Sequence, residues 1–310
     1  MALCRRHRRC WKASEAHCRG GYIAASEMHR HRHFDIWLHD DIELAALVQS
    51  EVAERVTLRE WPLSCVQRVT TPDGRRLIYK AQSAPSVESQ FYAHAKSDLL
   101  PAAKTVYESG DQACMLIEFL EGPLIEDLGL PEEEVVQVGR TVMKEIAEIA
   151  GELPYYVDVS SEEKWEELVG ATLKDLGALI EQGKFSLFDS AAVRSLERSV
   201  FSASVLSAIR ANPGYIHADL SSDNLFVLPG GYRLIDWQYP RLGPREVDLA
   251  LLLESLGFDP LRHVGEGVVQ VTTFLRIHWL TQCAVRWIPE AVRTYDRMIA
   301  QLSRGFSRKL

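Results

Sequence analysis

Asp219, Asn224 and Asp236 stand in one stretch, GYIHADLSSDNLFVLPGGYRLIDWQYP (214–240), in an order suited to moving a phosphoryl group. That chemistry asks a protein for a carboxylate near the acceptor hydroxyl, oxygen ligands for Mg²⁺ and a cation on the phosphates. The run His217-Ala-Asp219-Leu-Ser-Ser-Asp-Asn224 sets a carboxylate and an amide five residues apart, and Asp236 follows a second apolar run. Such spacing lets Asp219 face an acceptor while Asn224 and Asp236 converge on a metal. Asp, Asn and Ser between apolar runs are also ordinary loop residues. Here, however, the apolar lead-in, the LFVL run, the Pro-Gly-Gly turn and Leu-Ile-Asp236-Trp237 all occur in the required order.

The elements that must hold these residues are legible around them. LFVL and YRLID read as two short strands joined by a turn, a hairpin that displays the polar clusters together. Upstream, DIELAALVQSEV (41–52) has helical periodicity behind a capping Asp40 or Asp41. ERVTLREW, SCVQRVT and RRLIYKAQ then switch to β-branched and aromatic runs, broken by Pro62 and by Thr71-Pro-Asp-Gly74, which predicts a β-meander. A helix is expected over 86–98, strands over 103–108 and 113–119, and a hinge at Glu118–Pro123. From 131 onward the periodicity is helical, with candidates at 131–151, 162–183, 190–210, 245–256, 265–285 and 288–305. The helical stretch 155–210 precedes the 214–240 motif and is expected to form part of an acceptor pocket.

On these motifs the sequence resembles the aminoglycoside phosphotransferase and choline kinase-like superfamily, the small-molecule branch of the protein-kinase fold. Its pattern is roughly H-G-D-x-x-x-x-N, a short hairpin, then I-D-[WF]. The resemblance covers about residues 40–305 and is strongest at 214–250. It implies an α+β, bilobal fold: a small N-terminal antiparallel-sheet lobe and a larger, mainly helical C-terminal lobe. It implies that Asp219 is the base or orienting carboxylate and that Asn224 and Asp236 hold Mg²⁺. His217 and Asp248, the latter in Gly243-Pro-Arg-Glu-Val-Asp248, would support the loop.

In the N-terminal lobe the resemblance makes Lys80 the phosphate-binding lysine, Glu88 its partner, and the backbone of Glu118–Leu120 the contact to a purine. The nucleotide would be ATP, with GTP possible. The departures are three. The Trp61-Pro-Leu-Ser64 loop lacks the glycines of a phosphate cradle, so Ser64 is expected to offer a hydroxyl or amide instead. Ala218 replaces the usual glycine, a substitution expected to matter little. Ser221 stands where relatives place lysine or histidine, which leaves less charge beside the γ-phosphate.

Composition limits the alternatives. The 310 residues carry a formal net charge of −8, which disfavours nucleic acid and anionic membrane as partners, and no apolar run is long enough to span a bilayer. Residues 1–33 hold eight Lys and Arg against Glu15 and Glu27, so a basic arm precedes an acidic body. The arm is expected to lack structure or to precede the true start at Met28; Cys4, His7, Cys10, His17 and Cys18 fit no standard zinc spacing. Cysteines at 4, 10, 18, 65, 114 and 283 suit a reducing compartment, hence a cytoplasmic location. The expected organisation is this arm, an N-terminal nucleotide lobe over 34–120 and a C-terminal catalytic lobe over 121–310. The leading expectation is a kinase of a small hydroxylated acceptor; the alternative is a kinase-fold binding protein of weak or no activity. Asp158, Glu162, Glu163, Glu166 and Glu167 would attract a polycationic acceptor, although a solvated helix face is the plainer account of such a run.

Overall fold

The computed structural model describes residues 28–307. The expected arm is therefore met only at its end, and the Cys and His cluster of residues 4–18 lies outside the described residues. Residues 28–33 correct the expectation of an unstructured arm through 33. His29–Arg30 (β1) pairs antiparallel with Trp37–Leu38 (β2), and His31 Nε2 lies 3.1 Å from Glu60 Oε2.

Asp41–Val48 forms α1, started by a capping box in which Asp40 accepts from the Glu43 N–H and Glu43 from the Asp40 N–H. The meander follows as Glu54–Trp61 (β3), Ser64–Thr70 (β4) and Arg76–Ser83 (β5). The helix Glu88–His94 (α2) and the strands Ala103–Ser109 (β6) and Gln112–Glu118 (β7) complete the lobe. All five long strands pair antiparallel, in the order β3-β4-β5-β7-β6. The β4–β5 turn needs Gly74, whose φ of +84° is costly for a residue with a Cβ. One face of the sheet buries Val69, Tyr79 and Ala81 with Ile36, Leu38 and Leu44. α1 and β2 thus exist chiefly to cover apolar sheet surface.

The second lobe begins with Glu132–Ala147 (α3), Val157–Asp158 (β8), Glu162–Glu181 (α4), Ser190–Val200 (α5) and Ala203–Arg210 (α6). The single helix expected over 190–210 is two helices. Ser202 accepts a hydrogen bond from the Val205 N–H, so it starts α6 as a cap where the sequence pattern alone suggested continuity. Pro213–Ile216 (β9), Leu225–Leu228 (β10), Gly231–Leu234 (β11) and Arg241–Pro244 (β12) follow. β10 and β11 form the expected hairpin, while β12 joins β9 and β8 in a separate three-stranded sheet. Glu246–Ser255 (α7), Glu266–Gln282 (α8) and Val292–Ser307 (α9) close the fold. α8 ends in one π-helical turn, Cys283–Trp287, and Pro289 separates it from α9.

Two sets of contacts join the lobes. At the back, Phe91 of α2 stacks on Trp237 with ring centroids 4.3 Å apart, both fully buried, and the Val87 N–H donates to Gln238 O. At the front, Trp61 and Leu63 pack with Trp279, Cys283, Ile288 and Tyr295. Among the described residues, no helix is long and apolar enough to cross a membrane.

Candidate active site

A cleft of about 650 Å³ separates the lobes, and both halves of the motif line it. Lys80 projects from the central strand β5, where it pairs with Met115 of β7, so its main chain is fixed on both sides. Its Nζ lies 2.5 Å from Glu88 Oε2 and 2.6 Å from Asp236 Oδ1. Glu88 opens α2 and is wholly buried. Burial works against the Lys80 ammonium, but Asp236 and Glu88 outweigh it and hold its pKa above the ordinary lysine value. Burial also raises Glu88, against the pull of Lys80, while Lys80 draws Asp236 below the usual carboxylate range despite its burial. The lysine thus stays charged where a phosphate oxygen could meet it.

The catalytic-type loop is held from beneath by Asp248 of α7. Its Oδ2 accepts from the His217 N–H at 2.8 Å and its Oδ1 from the Ala218 N–H at 2.7 Å. Burial pushes the Asp248 pKa up, and the two N–H groups and Arg241 oppose it. Nε2 of His217 donates to Ile235 O at 3.0 Å, tying the loop to the strand that delivers Asp236, and burial pulls the His217 pKa down to about 4. The ring is therefore neutral at pH 7 and acts as a strut. Asn224 lines the cleft and donates through Nδ2 to Asp219 O at 3.0 Å, which leaves its Oδ1 for another partner.

Asp219 lines the cleft with its carboxylate facing the open cavity, and its residue surface is exposed. Crowding by the cleft walls, reinforced by Asp236 and Asp223, pushes its pKa up to about 7; Arg241 and Arg59 pull the other way, and the water that reaches its exposed carboxylate weakens the shift. The backbone on either side of the site is unusual. Ala218 has φ +63° and Asp236 φ +69°, a region that costs a residue with a Cβ of order 1–3 kcal/mol. The expectation that Ala218 differs trivially from glycine is therefore corrected: the position is one where glycine is at ease and alanine is strained.

The nucleotide-side candidates are placed as follows. Ser64 pairs with Trp61 across a turn made of Pro62 and Leu63 alone, so no loop arches over the cleft, and the Ser64 hydroxyl accepts from Trp61 Nε1 at 2.9 Å. Glu118, Phe119 and Leu120 line the cleft. The Glu118 N–H already donates to Ala102 O, so this residue has no amide hydrogen to offer a base. No hydrogen bond to Leu120 is found among the described residues. Val66, Ile78, Ile117, Phe226 and Ile235 supply apolar walls for a flat ring. As for a metal, the available donors are carboxylate and amide oxygens of Asp236 and Asn224. No cluster of three His, Cys, Asp or Glu residues exists among the described residues. Two hard oxygen ligands completed by phosphates and water suit Mg²⁺ and not zinc.

On the acceptor side, the expectation that 155–210 builds part of the pocket is largely corrected, and the acidic run takes its plainer reading as a solvated face. No residue of 155–210 lines the cleft directly, and the stretch reaches it only through Tyr156, which packs behind Tyr239 and Trp279; the outer wall comes from Trp61, Tyr239, Leu275, Arg276 and Trp279. The acidic run lies away from the cleft, and two of its members have basic partners: Asp158 pairs with Lys164 and Glu162 with Arg210. Sequence reasoning also missed Gln238, whose Nε2 donates to Asp236 Oδ1 at 2.6 Å, and Arg59, which reaches across the lobes to 3.9 Å from Asp223 Oδ2. Ser221 turns its hydroxyl to Asp223 Oδ1 at 2.6 Å.

A two-lobed fold with a buried Lys–Glu pair facing an Asp, Asn and Asp set defines a protein-kinase-like phosphotransferase architecture. The sequence model of the phosphotransferase enzyme family matches residues 67–279, and the chain belongs to that family. No curated protein matches the chain. Among solved structures it is similar to a choline/ethanolamine kinase family protein from Mesorhizobium loti, with a TM-score of 0.61 and 13% identity over 87% of this chain and 94% of that one. It is similar also to aminoglycoside phosphotransferase APH(4)-Ia in complex with AMP-PNP and hygromycin B, with a TM-score of 0.59 and 16% identity over 86% and 97%. ADP-bound APH(2'')-Ib gives 0.54 and 16% over 87% and 99%. At such identities the likeness concerns the fold.

Proposed function

We propose that the chain is a kinase that transfers the γ-phosphoryl group of ATP, or GTP, to a hydroxyl of a small molecule. The observation that carries this reading is Lys80 held between Glu88 and Asp236, with Asp219 and Asn224 on the facing loop of the same cleft. Lys80 would meet the phosphates as a fixed cation, and the Glu118–Leu120 segment would face the purine edge. Asn224 and Asp236 would hold Mg²⁺, which when bound neutralises charge on the phosphoryl oxygens. Asp219 would take the acceptor's proton as the hydroxyl attacks, a task for which a carboxylate of raised pKa is well matched near neutral pH.

Calorimetric titration with Mg²⁺ and a non-hydrolysable ATP analogue tests the nucleotide half. Wild type and Asp219→Asn should bind alike, while Asp236→Ala and Lys80→Met should each lose about tenfold or more in affinity. No binding at millimolar nucleotide would overturn the reading. The competing reading, a binding protein without turnover, draws support from Ser221, whose hydroxyl is committed to Asp223. Nucleotide binding without ADP release across a broad panel of alcohols would favour it.

A further inference from the structure

Four cations line the cleft, and three have a carboxylate at hand. Lys80 has Glu88 and Asp236, Arg59 lies 3.9 Å from Asp223, and Arg276 lies 2.5 Å from Glu254. Arg241 has none. It opens β12, where it pairs with Ile216 just before the Asp219 loop, and its residue surface is only 6% exposed. Its Nε is buried without a hydrogen-bond partner, and among the described residues no carboxylate lies within 4.0 Å of it. Two residues earlier, Tyr239 lines the same end of the cleft with its Oη also buried and unpartnered. Burial keeps this phenol protonated, so it remains a donor.

A buried, uncompensated guanidinium is costly, and packing alone would be served as well by leucine or methionine. Burial works against its charge, the Tyr156 phenol, Asp219 and Asp248 favour it, and neither carboxylate makes an ion pair with it. The Arg fork matches the two oxygens of a carboxylate or phosphate. The Tyr156 phenol acts on the Arg241 charge, and Tyr156, Tyr239 and Trp279 pack on one another, with Tyr239 and Trp279 centroids 4.4 Å apart.

We propose that the acceptor is a hydroxyl compound carrying an anionic group, carboxylate or phosphate, that seats on the unpaired Arg241 guanidinium and the Tyr239 hydroxyl while its hydroxyl meets Asp219. This deepens the kinase reading and rests on it for the role of Asp219. A polycationic acceptor would meet Arg241 as a like charge.

The test uses matched probes on the full chain loaded with Mg²⁺ and ADP: 3-hydroxybutyrate against 3-hydroxybutyramide, glycerol 3-phosphate against glycerol, and choline and kanamycin as cationic arms. Calorimetry should show at least one anion bound about tenfold or more tighter than its uncharged counterpart. Arg241→Met should reduce that preference to about threefold or less with Mg²⁺–ADP affinity unchanged, and Tyr239→Phe, which removes one hydroxyl, should lower it by about three- to tenfold. Which pair responds separates carboxylate from phosphate. If no anion is preferred by the wild type, if the cationic arm binds better, or if the preference survives Arg241→Met, the inference falls. Failure of the kinase reading is seen separately, as absent Mg²⁺–ADP binding, and the probe series can then be run on the nucleotide-free protein.

Discussion

Asp219 and Lys80 answer to opposite electrostatic settings within one cleft. Lys80 is kept charged by two carboxylates, whereas Asp219 has its pKa raised by the crowding of the cleft walls and by like charges. If Asp219 accepts the acceptor proton, only its ionised form works, so kcat/KM should climb with pH and level off above about 7. Asp219→Asn should cost about 10²–10⁴-fold in turnover and abolish that limb, which a pH–rate profile of the pair would read directly. Stability should move the other way. A carboxyl whose folded pKa lies above its unfolded one stabilises the fold at low pH and loses that contribution as pH rises through about 7. Asp219→Asn should therefore melt higher than wild type at pH 8 and no higher at pH 4, as calorimetry at the two pH values would show.

At the scale of elements, the loop between β9 and β10 is set by its neighbours. Asp248 terminates two backbone N–H groups at once, and Asp248→Asn, which keeps the shape but presents one acceptor oxygen, should cost about 1.5–3 kcal/mol by denaturant unfolding and lower kcat as well. Ala218→Gly should relieve the left-handed strain and raise the melting temperature, a gain of about 1 kcal/mol with nucleotide affinity unchanged. The 214–240 hairpin and the meander are readable because apolar periodicity and polar punctuation agree there, whereas Lys80 and Glu88 stand out only through the family resemblance. What stayed hidden depends on tertiary placement. Phe201-Ser202 reads as continuous helix until Ser202 caps α6. Arg241 looks like any strand arginine until its burial is known. The stretch 155–210 is amphipathic, but its apolar face covers the core and not the cleft.

For the whole molecule, α2 belongs to both lobes, since it carries Glu88 toward the sheet and stacks Phe91 on Trp237. Trp237→Ala should cost about 3–5 kcal/mol and loosen Asp236 one residue away, so thermal melting and Mg²⁺–nucleotide affinity should fall together. The front contact has a different consequence. The β3–β4 turn is only Pro62-Leu63, and Leu63 packs among Cys283 and Ile288 of the other lobe. The lobes are joined at the back by the Phe91–Trp237 stack and at the front by Trp61 and Leu63. If ligand exchange requires the front contact to part, wetting its apolar faces would add a barrier independent of the chemistry at Asp219. On the proposed kinase reading, such a barrier would slow the departure of ADP and not the making of the new phosphate ester, and so would set the pace of the cycle.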